Sequence, residues 1–143
     1  MTNAIADHWG KGDVYSLIVS ALNKMSKPLD GLTVEDLAPV DHFHARGLPA
    51  TVELANRLPI RAGLGGPARY VAKRFQCTVS GLDITEPFVQ AANKLTELVR
   101  MQDKVQVELG DGRQLPYPDS AFDGGYTQHV TMNVADRPRF FAA

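Results

Sequence analysis

Cysteine is almost absent from this sequence, because Cys77 is the single one among 143 residues. A lone thiol excludes an internal disulfide and leaves no second cysteine for a metal site built on thiolates. No stretch approaches the roughly 20 apolar residues of a membrane-spanning helix. The N-terminal stretch MTNAIADHWGKGD lacks the continuous apolar core of a signal peptide. These absences predict a cytoplasmic protein that has no membrane partner and no metal site.

The sequence also has no excess of either charge. It holds 15 Lys and Arg residues against 16 Asp and Glu residues, for a formal net charge of −1. A general nucleic-acid binder needs a positive surface, so this balance argues against one. The hydrophobic content of 44% and the charged content of 22% are typical of a globular domain.

The N-terminal part of the chain has the pattern of helices. Apolar residues recur three and four positions apart over residues 13–25, which predicts an amphipathic helix. Thr33 and Asp36 have the spacing of a capping box at the start of a second, short helix. Residues 49–58 predict a third helix. The polar stretch DHFHARG at 41–47 predicts a loop.

From residue 63 onward, helical and strand patterns alternate. This alternation is typical of βαβ units, and it predicts an α/β fold with a Rossmann-like parallel sheet covered by helices. The predicted elements are a glycine turn, a helix at 67–75, a strand at 77–84, a helix at 86–101, a strand at 104–109 and a strand at 122–127.

Three motifs follow the pattern of ligand-binding residues at the carboxyl ends of such strands. The glycines of Gly63–Gly66 let the backbone approach a ligand closely, and the helix after them offers free N–H groups to an anion. Asp83 lies about 20 residues later, where an acid can accept hydrogen bonds from a ribose. Asp111, within Gly110–Gly112, could accept from the amine of an adenine. Together they indicate an adenosine-containing ligand.

Each motif also has a purely structural explanation. Gly63–Gly66 could form an ordinary tight turn, Asp83 could help to begin the next helix, and Asp111 could be a simple turn residue. An NAD(P)-binding oxidoreductase would use the same glycine and acid logic. Against that alternative, the turn lacks the full G-x-G-x-x-G pattern after a strand.

Three phrases, GGPARY, LPYPDSAFD and TQHVTMN, carry a family resemblance. The chain resembles class I S-adenosylmethionine-dependent methyltransferases. It is most similar to the small-molecule branch with the ubiquinone/menaquinone-biosynthesis, sarcosine/dimethylglycine, sterol and tocopherol enzymes. The resemblance is good over residues 63–143 and looser over the N-terminal helices. It implies a helical cap at 1–58 and a partial Rossmann-like domain at 59–143 that binds S-adenosylmethionine.

The resemblance implies a role for each matching residue. The turn glycines would contact the methionine tail, Asp83 the ribose, and Ile84 and the Asp111 region the adenine. The segment after the strand at 122–127 would face the sulfonium and the acceptor. The matching positions are Gly63, Gly65, Gly66, Asp83, Ile84, Asp111, Gly112, Thr127, Gln128 and His129.

The chain departs from the family just before the glycine turn. The family has an apolar first strand there, in the centre of a sheet ordered 3-2-1-4-5-7-6, whereas here Ala62 runs straight into Gly63. We therefore expect residues to be missing between these two positions, and further chain after Ala143. The alternatives are a true fragment, or a short protein that exchanges strands within a homodimer.

Three further residues are candidates for the chemistry. His129 could act as a general base, or it could be a structural histidine bonded to the backbone. His44 and Arg46 could contact the substrate, and a surface role for Arg46 is an equal alternative.

The sequence thus predicts an enzyme that transfers a methyl group from S-adenosylmethionine to a nitrogen, oxygen or carbon of a small molecule. The alternatives are an NAD(P)-binding oxidoreductase and a truncated, non-catalytic domain that binds a nucleotide or a partner.

Overall fold

The structure is a computed structural model that describes residues 12–42, 45–56 and 65–142. Helices dominate these ranges, and two short strands form the sheet. The helices are α1 Val14–Lys24, α2 Val34–Asp41, α3 Gly47–Ala55, α4 Gly65–Phe75, α5 Glu86–Leu98 and α6 Arg137–Ala142; the strands are β1 Val79–Asp83 and β2 Val105–Leu109; a 3-10 turn spans Thr131–Asn133.

The predicted capping box is confirmed at the start of α2. The Thr33 hydroxyl accepts a hydrogen bond from Asp36 N, and the Asp36 carboxylate accepts one from Thr33 N, which is the reciprocal pattern of a capping box. At α6, the Asp136 carboxylate accepts from Arg139 N. These bonds satisfy N–H groups that the first turn of a helix leaves without partners.

Strands β1 and β2 are parallel and in simple register, with Val79 opposite Val105 and Asp83 opposite Leu109. The side chains of Val79, Val105 and Val107 are buried, as expected of parallel strands that helices cover. Because the two strands end together, the residues that follow them meet at one edge of the sheet.

The predicted strand at 122–127 is wrong, because no strand occurs there in the described part of the chain. A strand exists only where a neighbour supplies hydrogen bonds to its backbone. In the family order, this segment would pair with the first strand, which is not recognisable in the sequence. Gly124 and Gly125 also give the segment little strand propensity of its own. The predicted break between Ala62 and Gly63 lies outside the described residues.

The outer edge of β2 is closed by a side chain. Asn93 of α5 donates from Nδ2 to Val107 O at 2.8 Å and accepts from Val107 N at Oδ1 at 3.0 Å. The amide thus imitates a neighbouring strand at this one residue, and it satisfies two backbone groups of a residue that is 2% exposed.

Replacing Asn93 with alanine is expected to lower the free energy of unfolding by about 1–3 kcal/mol, because each buried backbone group left without a partner is costly. The urea midpoint would fall while the m-value stays unchanged. Gln90→Ala is the matched control, since the exposed Gln90 bonds only to Glu86 on the same helix. Equal midpoints for the two variants would contradict the role of Asn93.

The helices cover the sheet and share their core with the N-terminal part of the chain. Leu95 of α5 packs with Ile18 and Leu22 of α1. Ala55 of α3 packs with α4 and the strands, next to Val79. Among the described residues, no helix is both long and apolar enough to cross a lipid bilayer.

Candidate cofactor-binding site

Asp83 and Gly110 lie together at the carboxyl edge of the sheet. The backbone N–H of Gly110 donates to Asp83 O at 2.8 Å. A Cβ at position 110 would lie 2.6 Å from Leu82 Cδ1, so a larger residue there would force the Leu82 side chain to move. This confirms that the predicted ribose-binding acid and the predicted adenine loop are neighbours.

The Asp83 carboxylate is half-buried, and its hydrogen bonds do not fully offset the loss of contact with water. Its Oδ1 accepts from Thr85 N at 2.7 Å, which is the structural role that the sequence left open for this residue. Burial nevertheless raises the pKa of Asp83 above 3.8, against the opposing effect of the bonds to Thr85. A carboxylate in this state gains from further donors, and the two hydroxyls of a ribose would supply them.

The second predicted acid, Asp111, is held by its own loop. Arg113 binds it in a bidentate manner, from Nε to Oδ1 at 3.0 Å and from Nη2 to Oδ2 at 2.6 Å, and the Arg113 backbone N–H adds a bond of 2.9 Å. These bonds lower the pKa of Asp111 to about 2. Arg113 thus contacts both carboxylate oxygens, while the Asp111 side chain stays 37% exposed.

Gly112 is covered by the last helix. A Cβ at this position would lie 2.7 Å from Cε2 of the Phe140 ring. Arg139 Nε also donates to Arg113 O at 3.2 Å. Helix α6 therefore packs on the loop that the sequence assigned to adenine, at the same strand edge as Asp83. Ile84, beside it, is half-buried.

The glycines that begin α4 approach other protein groups closely. A Cβ on Gly66 would lie 2.5 Å from Asp41 Oδ1 and 2.7 Å from His42 Nδ1, and one on Gly65 would lie 2.9 Å from Arg69 Nη2. Both glycines are buried. The third predicted glycine, Gly63, lies outside the described residues.

The groups that meet these glycines form a buried polar cluster that sequence reasoning missed. Arg69 Nη2 donates to Asp41 Oδ2 at 2.7 Å, and His42 Nδ1 lies 2.7 Å from Asp41 Oδ1. The side chains are 0% exposed for Arg69 and 3% for Asp41. Burial alone would raise the pKa of Asp41, but the bond from His42 and the charge of Arg69 lower it below its usual value. We therefore expect the carboxylate to be ionised at neutral pH. The predicted loop at 41–47 is wrong at its two ends, since Asp41 is the last residue of α2 and Gly47 is the first of α3.

The segment after position 126 contacts the N-terminal helices. Thr51 Oγ1 of α3 lies 3.3 Å from Gln128 Oε1. Thr127 is half-buried, whereas His129 is exposed and has a φ of 55°, in the left-handed region. This contact brings the residues predicted to face the donor against the helices predicted to form a cap.

The predicted substrate contacts are on the surface or undescribed. Arg46 Nη2 donates to Glu53 Oε2 at 2.9 Å, and its side chain is 67% exposed. His44 lies outside the described residues. Within the described ranges, no group of three or more His, Cys, Asp or Glu side chains is placed to hold a metal ion.

Two surface cavities lie apart from all of these residues. One of about 550 Å³ is lined by residues around Met132 and Arg137. The other, of about 260 Å³, lies where Tyr15 of α1 faces Lys94 of α5. Neither is lined by a predicted site residue.

Residues 58–143 match a family described as "Methyltransferase domain". An ajmaline N-methyltransferase from Rauvolfia serpentina is 32% identical over 85 residues, which are 59% of this chain and 29% of that protein. A glycine/sarcosine/dimethylglycine N-methyltransferase from Actinopolyspora halophila is 30% identical over 108 residues, which are 73% of this chain and 19% of that protein. The chain thus spans less than a third of either relative.

The fold also matches solved structures. A geranyl diphosphate C-methyltransferase from Streptomyces coelicolor A3(2), determined with S-adenosyl-L-homocysteine, superposes with a TM-score of 0.63 at 18% identity. The match covers 99% of this chain and 60% of that one. This likeness confirms the predicted Rossmann-like fold.

Proposed function

Because the chain belongs to the methyltransferase-domain family matched over residues 58–143, we propose that it forms part of an S-adenosylmethionine-dependent methyltransferase acting on a small molecule. The observation that carries this proposal is the meeting of Asp83 with Gly110 at the carboxyl edge of parallel strands. Ligands of open α/β sheets bind at such edges.

The chemistry divides simply between cofactor and protein. When bound, S-adenosylmethionine supplies an activated methyl group on a sulfonium, and the protein supplies binding, orientation and exclusion of water. Asp83 would hold the ribose. The α4 glycines, Gly65 and Gly66, would border the methionine end. The Asp111–Gly112 loop would take the adenine edge.

We propose that the N-terminal helices form the site of the methyl acceptor. The Thr51–Gln128 contact supports it, because it joins α3 to the segment that precedes His129. His129 would act as a base only for an acceptor that must lose a proton. Arg46 would be available to an acidic acceptor if it left Glu53. The relatives' names include both N- and C-methyltransferases, so the proposal leaves the acceptor atom open. A homodimer and a cytoplasmic location stay predictions.

Calorimetry of the full chain with S-adenosylmethionine, S-adenosylhomocysteine and NAD tests the donor. We expect S-adenosylhomocysteine to bind with micromolar affinity, since the demethylated product keeps the ribose and adenine, and we expect no heat from NAD. Binding of NAD alone would overturn the proposal in favour of an oxidoreductase. Binding of none of the three would favour a domain that binds a partner.

A further inference from the structure

The buried ion pair between Asp41 and Arg69 joins three helices at one point. Asp41 is the last residue of α2, and Arg69 lies in the second turn of α4. The same guanidinium donates from Nη1 to Ala92 O at 3.0 Å and to Thr96 Oγ1 at 2.7 Å, both on α5. A planar guanidinium fixes its partners in direction as well as distance, which a lysine ammonium does not.

The first two residues of α4, Gly65 and Gly66, rest directly on this pair. Because Gly66 has no side chain, Asp41 and His42 can contact the first turn of α4. Because Gly65 has none, the guanidinium of Arg69 fits beside it. The first turn of α4 therefore cannot shift toward the cluster without a collision, and the hydrogen bonds of the cluster resist a shift of Asp41 away from it.

We infer that the Asp41–Arg69 pair is a positioning device, which holds the Gly65–Gly66 turn in the geometry that binds the methyl donor. The inference rests on the proposed function, because it assigns the donor to this turn. Neither residue needs to touch the donor. They affect donor binding by fixing the backbone position of the two glycines.

Stability is a weak explanation for such a pair. Removing two charges from water offsets most of their attraction, so well-packed apolar residues often replace a buried ion pair without loss. An apolar replacement would fill the same space, but it would not hold the turn through directed bonds. This difference separates positioning from mere support of the fold.

The test uses two variants of the full chain. Arg69→Lys keeps the positive charge but loses the planar guanidinium with its several directed donors. Asp41→Leu with Arg69→Met replaces the pair by apolar side chains. Both are expected to bind S-adenosylhomocysteine about tenfold more weakly or worse by calorimetry, even where the double variant unfolds at the wild-type urea midpoint. Hydrogen exchange without ligand should be faster at residues 69–72, whose N–H groups bond to the carbonyls of the first turn of α4, and unchanged at β2.

Glu35→Gln is the matched control. Glu35 and Lys73 form an exposed ion pair at 2.7 Å between the same two helices, α2 and α4, away from the glycines. The affinity of Glu35→Gln for S-adenosylhomocysteine should stay within about twofold of wild type. A double variant that binds as tightly as wild type would overturn the inference, as would an equal loss in the control. If the wild type itself binds no donor, the proposed function fails. Unchanged exchange at residues 69–72 in Arg69→Lys would overturn the positioning role separately.

Discussion

Asp83→Asn is expected to weaken the binding of S-adenosylhomocysteine by about 10- to 100-fold and, at the same time, to raise the thermal midpoint of the free protein at pH 7. The loss follows because hydrogen bonds to a charged group contribute about 1.5–3 kcal/mol, and about 1.4 kcal/mol corresponds to tenfold in affinity. The thermal midpoint rises because the wild-type carboxylate is half-buried and its hydrogen bonds do not fully offset its burial. Asparagine keeps the oxygen that accepts from Thr85 N.

The pH dependence of this gain has a definite sign. The folded pKa of Asp83 lies above 3.8. At a pH well below 3.8 the side chain is protonated in both the folded and the unfolded protein, so its ionisation does not lower the free energy of unfolding. As the pH rises through the folded pKa, the unfolded state loses its proton more readily, and the wild type is destabilised. The advantage of Asp83→Asn should therefore be greatest near neutral pH and shrink toward pH 4.

Asp103→Asn provides the matched control, because it makes the same charge change at an exposed turn residue before β2. It should alter neither the affinity nor the pH profile. The combination of better stability with weaker binding marks a residue kept for a ligand rather than for the fold. An Asp83→Asn protein that is destabilised and still binds normally would show that Asp83 only begins helix α5.

Local patterns in the sequence were sufficient to predict most helices and two strands. The capping box at Thr33 and Asp36 is written in neighbouring residues, and the helix expected at 13–25 is found at Val14–Lys24. The pair of Asp83 with Gly110 was also predictable, because carboxyl ends of parallel strands meet wherever the strands are in register. Such features depend on short-range chemistry or on one topological rule.

Features that depend on distant partners could not be predicted in the same way. The strand expected at 122–127 depends on a neighbouring strand, and its own residues do not provide one. The Asp41–Arg69 bond joins residues 28 positions apart. One signal was available: Gly65, Arg69 and Ala72 recur at helical spacing on the buried face of α4. An arginine on such a face requires a carboxylate, but the sequence alone does not say which one.

Arg69→Met is expected to lower the free energy of unfolding by about 3–5 kcal/mol, which is the usual effect of leaving one charge of a buried pair alone. The Asp41 carboxylate would remain buried with only His42 Nδ1 beside it. Since small domains unfold at a cost of about 5–15 kcal/mol in total, the single variant should be visibly destabilised in urea. Glu35→Gln, which breaks the exposed pair between the same helices, should stay within about 1 kcal/mol of wild type.

Adding Asp41→Leu to Arg69→Met should restore most of the lost free energy of unfolding, because no unpaired charge then remains in the core. The α5 partners of the guanidinium tolerate its removal: Thr96 Oγ1 also donates to Ala92 O at 2.8 Å, so these two groups still satisfy each other. The double variant therefore separates the cost of an orphaned carboxylate from the value of the ion pair itself. If it were no more stable than Arg69→Met, the loss would come from packing around Arg69, and the charge on Asp41 would not be its cause.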